Sequence, residues 1–171
     1  VANATMYFNT TRRSHLAVNV EGGFLRPYGG DEKPIYERFR IGGDRSVRGF
    51  EYGSIYPLDD DDNAFLTDAG ALLGGDKYLV LNLESVYYLA GPLKVVLFFD
   101  AGNAWLEGQR FNPLKMRASA GAELRMFLPI FQAPLRFIYG VNLDPKTVKY
   151  PGGVLNEEKG SEFQFSIGTT F

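Results

Sequence analysis

From residue 93 to residue 102 the chain alternates. Leu93, Val95, Leu97, Phe99 and Ala101 hold the odd positions, and Lys94, Val96, Phe98, Asp100 and Gly102 the even ones. That is the period of a β-strand, whose successive side chains point to opposite faces. The pattern recurs along the chain. Leu79, Leu81 and Leu83 oppose Asn82 and Glu84. Met116, Ala118, Ala120, Ala122, Leu124 and Met126 oppose Arg117, Ser119, Gly121, Glu123 and Arg125. Leu135, Phe137, Tyr139, Val141 and Leu143 oppose Arg136, Gly140 and Asn142. Leu16, Val18 and Val20 oppose Ala17, Asn19 and Glu21, and Phe163, Phe165, Ile167 and Phe171 share one parity against Gln164, Ser166 and Gly168. With a weaker first segment, seven strands are predicted, over about 4–11, 15–28, 77–90, 93–105, 115–128, 134–143 and 161–171. Each is near the roughly 9–11 residues that cross a bilayer as a tilted strand.

The links alternate too. Short ones lie at Thr11–Arg13, Ala90–Pro92 and Pro129–Ala133; long ones at Gly29–Asp76, Glu107–Leu114 and Asp144–Gly160. A meander with short turns at one end and long loops at the other is the plan of an outer-membrane barrel. Alternation by itself fits a soluble ligand-binding barrel equally well, with the polar face outside. Loop asymmetry favours the membrane.

Composition adds to this. Aromatics are 15% of the chain, with 14 Phe and 10 Tyr, and there are 20 Gly. Both favour strands and tight turns over a helical bundle. No run of about 18 apolar residues predicts a membrane helix, a test that strands evade. The net charge of −2 offers no basic footprint for nucleic acid. There is no Cys and a single His, His15, so no thiolate or histidine-rich metal site is expected. Asp59–Asp62 lacks the spacing of a calcium loop and reads as a solvated turn. Gly29-Gly30 and Gly152-Gly153 read as turns, since no Gly-Lys-Ser/Thr follows. Trp105 and Tyr87-Tyr88 sit at strand ends, where interfacial aromatics belong. No nucleophile–base pair or paired-carboxylate pocket is recognisable, so catalytic residues and cofactors are expected to be none.

The segment Gly42-Gly43-Asp44-Arg45-Ser46-Val47-Arg48-Gly49-Phe50 narrows the field. It resembles the signature loop of the outer-membrane assembly and secretion superfamily, which includes BamA-like and TamA-like proteins and two-partner secretion transporters. Phe98-Phe99-Asp100-Ala101-Gly102, Ser119–Arg125 with Ala133–Phe137, and Phe163–Phe171 resemble further family motifs in the family's order. The resemblance implies an all-β, antiparallel up-and-down transmembrane barrel, of which this chain is a C-terminal part of seven to eight strands. The long loop would fold into the lumen. Val47, Arg48, Gly49 and Phe50 would form its tip, Glu84 and Asp100 would be the inner-wall partners of Arg48, and Phe163, Phe165, Ile167 and Phe171 would be the export signal of a closing strand. A guanidinium holds carboxylates through two parallel donors, which suits such a lock.

Residues 1–171 read as one barrel domain without the POTRA domains that precede the family's barrels. An odd strand count leaves an open edge, which lipid penalises. The missing strands lie outside this sequence, or an eighth comes from Val47–Tyr56 or from a second copy. The implied function is insertion and folding of β-barrel proteins through a lateral seam, with a passive pore or a polypeptide-secretion barrel as the alternative. The implied surroundings are the outer membrane of a Gram-negative-type bacterium, its lipid bilayer, nascent outer-membrane proteins and accessory lipoproteins reached through upstream domains, with self-association of fragments as a further possibility.

Overall fold

In a computed structural model, residues 1–26, 34–128, 133–150, 153 and 155–170 are described. Alternating segments become β1 (Ala2–Thr11), β2 (Ser14–Phe24), β3 (Lys77–Tyr88), β4 (Leu93–Trp105), β5 (Arg117–Met126), β6 (Leu135–Asn142) and β9 (Ser161–Ile167). They pair antiparallel in one sheet of order β1-β2-β3-β4-β5-β6-β9. Between β6 and β9 a separate hairpin, β7 (Thr147–Lys149) and β8 (Leu155–Glu157), stands in the long link. Among the described residues β1 and β9 are free edges of the wall. Val47–Tyr56 is not a wall strand; it is held to the rest of its loop by the Ile41–Ile55 bridge. Gly29, Gly30, Gly152, Phe171 and most of the Pro129–Ala133 link lie outside the described residues.

The two faces decide which barrel this is. Leu97 is 50% and Phe163 64% exposed, whereas Arg48, Asp100 and Arg136 are 0% exposed. A soluble barrel buries its apolar face. Here the apolar face is the outer one and the charged face is covered, which is the membrane arrangement. The covering element is the long loop that follows β2. Ile41, Val47, Phe50 and Ile55 from this loop pack on Tyr78, Val80 and Ala104 of the inner wall. Paired backbone bonds between Phe39 and Gly75 return the loop to the start of β3. A second, smaller cluster joins Tyr56 and Ala64 of the loop to Val148 of the β7–β8 hairpin. Both therefore sit at the end of the sheet that carries the long links.

Two local expectations change. The last strand was expected to run to residue 171, but the wall pairing ends at Ile167 opposite Leu135. Gly168 then adopts φ +127°, donates its N–H to Pro134 O at 3.0 Å and turns the chain inward. Only glycine adopts that backbone without strain. Trp105 does not face a lipid interface either. It is 5% exposed, because Phe111 of the β4–β5 loop stacks on it at 4.8 Å.

Candidate functional site

The inner wall reads across its strands as a row of polar residues. Register sets Asp100 of β4 opposite Asn82 of β3 and Ser119 of β5. Glu84 lies one inward position along β3, and Glu123 two along β5. Strand parity turns all of them to the interior. The loop delivers Arg48 into this row through a tight turn, with Gly49 at φ +82°. An added Cβ on Gly140 of β6 would stand 2.5 Å from Gly49 Cα. Glycine at both positions thus lets the turn rest backbone against backbone on the wall.

Every guanidinium nitrogen of Arg48 donates to a carboxylate. Its Nε and Nη2 donate to the two oxygens of Asp100 at 2.7 and 2.8 Å, a two-pronged pairing. Nη1 donates to Glu84 at 2.7 Å and to Glu123 at 2.8 Å. The backbone N–H donates to Asp100 at 3.0 Å, and the Ser119 hydroxyl donates to the Arg48 carbonyl. The guanidinium carbon lies 3.9 Å from the centre of the Phe98 ring, a cation–π contact from below. Asn82 donates to Asp100 at 2.9 Å and to the Ser46 carbonyl at 2.6 Å, and accepts from Asn19 at 3.0 Å.

Glu123 carries the cluster further. It accepts from Arg136 at 2.8 and 3.0 Å and from Arg125. Arg125 also donates to Glu84 at 2.6 Å. Three guanidinium groups (Arg48, Arg125, Arg136) face three carboxylates (Glu84, Asp100, Glu123), so the buried charges balance. Unbalanced burial would be costly, and breaking such a set by removing one member is strongly destabilising. Burial alone would lower the Arg48 pKa. Asp100, by charge and hydrogen bond, then Glu84 and Glu123, outweigh it and raise it above the ordinary arginine value. The guanidinium is therefore permanently charged. Among the described residues no group of three or more His, Cys, Asp or Glu is placed to hold a metal ion. The arrangement holds a loop; it presents no activated nucleophile or free base.

The family model for the Omp85 superfamily domain matches residues 1–171. The chain belongs to the Omp85 superfamily. This Omp85 domain is 33% identical over 153 residues to the outer membrane protein assembly factor BamA of Nitratidesulfovibrio vulgaris, covering 88% of this chain and 17% of that protein. It is 26% identical over 199 residues to the BamA of Neisseria meningitidis serogroup B, covering 99% of this chain and 23% of that protein. The Omp85 domain thus spans less than a quarter of the length of these curated relatives. Its fold is similar to the crystal structure of Haemophilus ducreyi BamA lacking POTRA domains 1–3, at a TM-score of 0.66 and 22% identity, over 96% of this chain and 34% of that one. The domain is an outer-membrane β-barrel domain of the BamA and TamA type.

Of the residues singled out by sequence, Val47, Arg48, Gly49 and Phe50 come together with Glu84 and Asp100. Val47 and Phe50 are buried in the loop–wall cluster. Phe163, Phe165 and Ile167 lie apart, on the outer face of β9, with Phe165 stacked on Phe137 at 5.2 Å. Phe171 is outside the described residues. The sequence reading missed Glu123, Arg125 and Arg136 as members of the arginine cluster. Their parity was legible; which of the inner charges lie within reach of Arg48 depends on the register between β4, β5 and β6.

Proposed function

We propose that this domain is the seam-bearing C-terminal part of a larger barrel that inserts and folds other β-barrel proteins in the outer membrane. The observation that carries the reading is the edge strand β9. It has seven residues, against thirteen in β4, and among the described residues it pairs with β6 alone. An unpaired edge in lipid is a template for strand addition. Under this reading β9 meets the first strand of the complete barrel weakly and releases it to an incoming strand. Strands completing the barrel, and any POTRA domains, lie outside this sequence. Accessory lipoproteins would act through those domains, and a second copy of this half is the other way to cover the edges.

Arg48, with Glu84, Asp100 and Glu123, would hold the loop in the lumen while the seam works. Phe163, Phe165 and Ile167, with Phe171, would serve as the export signal of the closing strand. The regular spacing of Phe163, Phe165 and Ile167 on the lipid face supports that role. The activity is mechanical: no bond in the client is made or broken.

The test is photocrosslinking from β9 in the full-length protein during assembly of a β-barrel client. A crosslinking residue at Gln164 or Glu162 is expected to capture strands of the client. Capture of a translocating, non-barrel polypeptide instead would assign the domain to the secretion branch. Capture of neither would make it a passive barrel.

A further inference from the structure

The inner face of β9 is not free, even though its edge is. Gln164 Nε2 donates to the Phe50 carbonyl at 2.8 Å. Ser166 Oγ donates to Asp44 at 2.5 Å. Beyond the turn at Gly168, Thr170 is 6% exposed and its hydroxyl enters the arginine cluster. It accepts from Arg125 at 2.9 Å and from Arg136 at 2.8 Å, and donates to Glu84 at 3.2 Å. A hydroxyl has one proton and two lone pairs, so Thr170 is fully used. The same Glu84 oxygen accepts from Arg48 at 2.7 Å. Arg136 adds a bond to the Asp44 carbonyl at 3.2 Å. Asp44, Arg48 and Phe50 all belong to the lumen loop. The edge strand is therefore bonded to that loop at two points directly, through Gln164 and Ser166, and at a third through a shared carboxylate.

We propose that Gln164, Ser166 and Thr170 are positioning residues that couple β9 to the lumen loop, so that seating of the Arg48 turn and placement of the edge strand are one event. The wall holds β9 on one side by its ladder to β6; the loop holds it from within. When the Arg48 turn lifts, Asp44 and Phe50 leave with it, and β9 keeps its ladder to β6 and the wall bonds of Thr170 but nothing from the loop. When the residues after Gly168 swing out, Arg125 and Arg136 lose the oxygen they share, and Glu84 loses one of its donors. A linkage of this kind is reciprocal: whatever the loop does to the strand, the strand does to the loop by the same factor. The proposed seam gives this coupling its use and is the reading on which it rests. The coupling itself can be measured without any client.

The experiment is amide hydrogen exchange on the full-length protein in proteoliposomes, comparing wild type, Ser166→Ala/Thr170→Val, Arg48→Lys and their combination. Ser166→Ala/Thr170→Val alters no residue of the loop, yet exchange at residues 43–50 is expected to rise about tenfold, the scale of the one charge-assisted bond taken directly from the loop, Ser166 to Asp44. Arg48→Lys is expected to raise exchange at residues 162–167 by a similar factor. The combination should exceed either alone by much less than the product of the two. Thr170→Ser keeps the hydroxyl and should return the wild-type pattern. Changes confined to the segment carrying the substitution, and multiplying in the combination, would overturn the coupling. If the combined variant does not fold, Ser166→Ala alone is read at residues 43–50 by the same criterion. Because no client is present, failure here leaves the seam reading standing, and failure of the crosslinking test leaves this one standing.

Discussion

Arg48→Ala removes the centre of the cluster, and its cost can be built from the contacts. With the turn still seated, Asp100 loses two donors, Nε and Nη2 of Arg48, and keeps two, Asn82 and the backbone N–H of residue 48. Glu84 and Glu123 keep Arg125 and Arg136. One carboxylate, Asp100, is thus left buried without a cation. Removing one partner of a buried ion pair costs about 3–5 kcal/mol. At about 1.4 kcal/mol per decade, the seated-to-lifted ratio of the loop falls by about two to three and a half decades. The apolar contacts of Ile41, Val47, Phe50 and Ile55 remain, so the loop stays mostly seated but opens far more often. Exchange of amides at residues 41–50 in the full-length protein reads that opening equilibrium. It should rise by about two decades or more, while the β3–β5 ladder stays protected. Arg48→Lys keeps the charge but cannot form the two-pronged pairing, and should fall between. A change at residues 41–50 of less than roughly threefold in Arg48→Ala, below the worth of one ordinary hydrogen bond, would refute the reasoning.

Three further outcomes follow from the same geometry. Gly140→Ala places a Cβ 2.5 Å from Gly49 Cα and 2.7 Å from Gly49 N, where only backbone could yield; overpacking of this kind costs about 1–3 kcal/mol, seen as a lower midpoint in heat-modifiable gel mobility, and an unchanged midpoint would remove the close approach. Phe99→Lys puts a charge on the outer face of β4, where it costs about 2–4 kcal/mol at the bilayer midplane; urea titration in vesicles measures it, and wild-type stability would mean that Phe99 does not face acyl chains. In the outer loop cluster, burial first and the Tyr150 hydroxyl second raise the Tyr56 pKa above the ordinary value of 10.0. The folded state then holds the Tyr56 proton more tightly than the unfolded one, so its contribution is complete below pH 10 and is lost as pH climbs beyond it. Absorbance titration at alkaline pH should show a late-titrating phenol that Tyr150→Phe brings down.

The wall was legible because each strand has one lipid face. Leu93 to Ala101 cannot shift by one residue without turning Lys94 and Asp100 to lipid, so alternation alone dictates which side is which. Arg48, Glu84 and Asp100 were legible together only through the family motif joined to that parity. Glu123 was on the page as an inner charge, yet nothing local says that it reaches Arg48. That follows from the stagger of β5 against β4, which pairs Glu123 with Val96. The end of β9 was hidden for another reason. Thr169 and Thr170 continue a strand as well as they leave one, and the turn at Gly168 is favoured by Thr170 having three partners inside. Trp105 has the residue type and position of an interfacial aromatic; Phe111, from a loop without periodicity, covers it.

The arginine cluster also bears on how the domain reaches its fold. Arg48 precedes every one of its partners in the chain, by 36 residues for Glu84, 52 for Asp100 and 75 for Glu123. Such distant contacts come late, after the loops between them have been closed. Until β3, β4 and β5 are side by side, the guanidinium has water as its best partner. A wall assembled one residue out of step would turn a carboxylate to the wrong face and leave the arginine with no place to go. Seating of the turn therefore proofreads strand alignment, and a misaligned wall is left with an unplugged lumen.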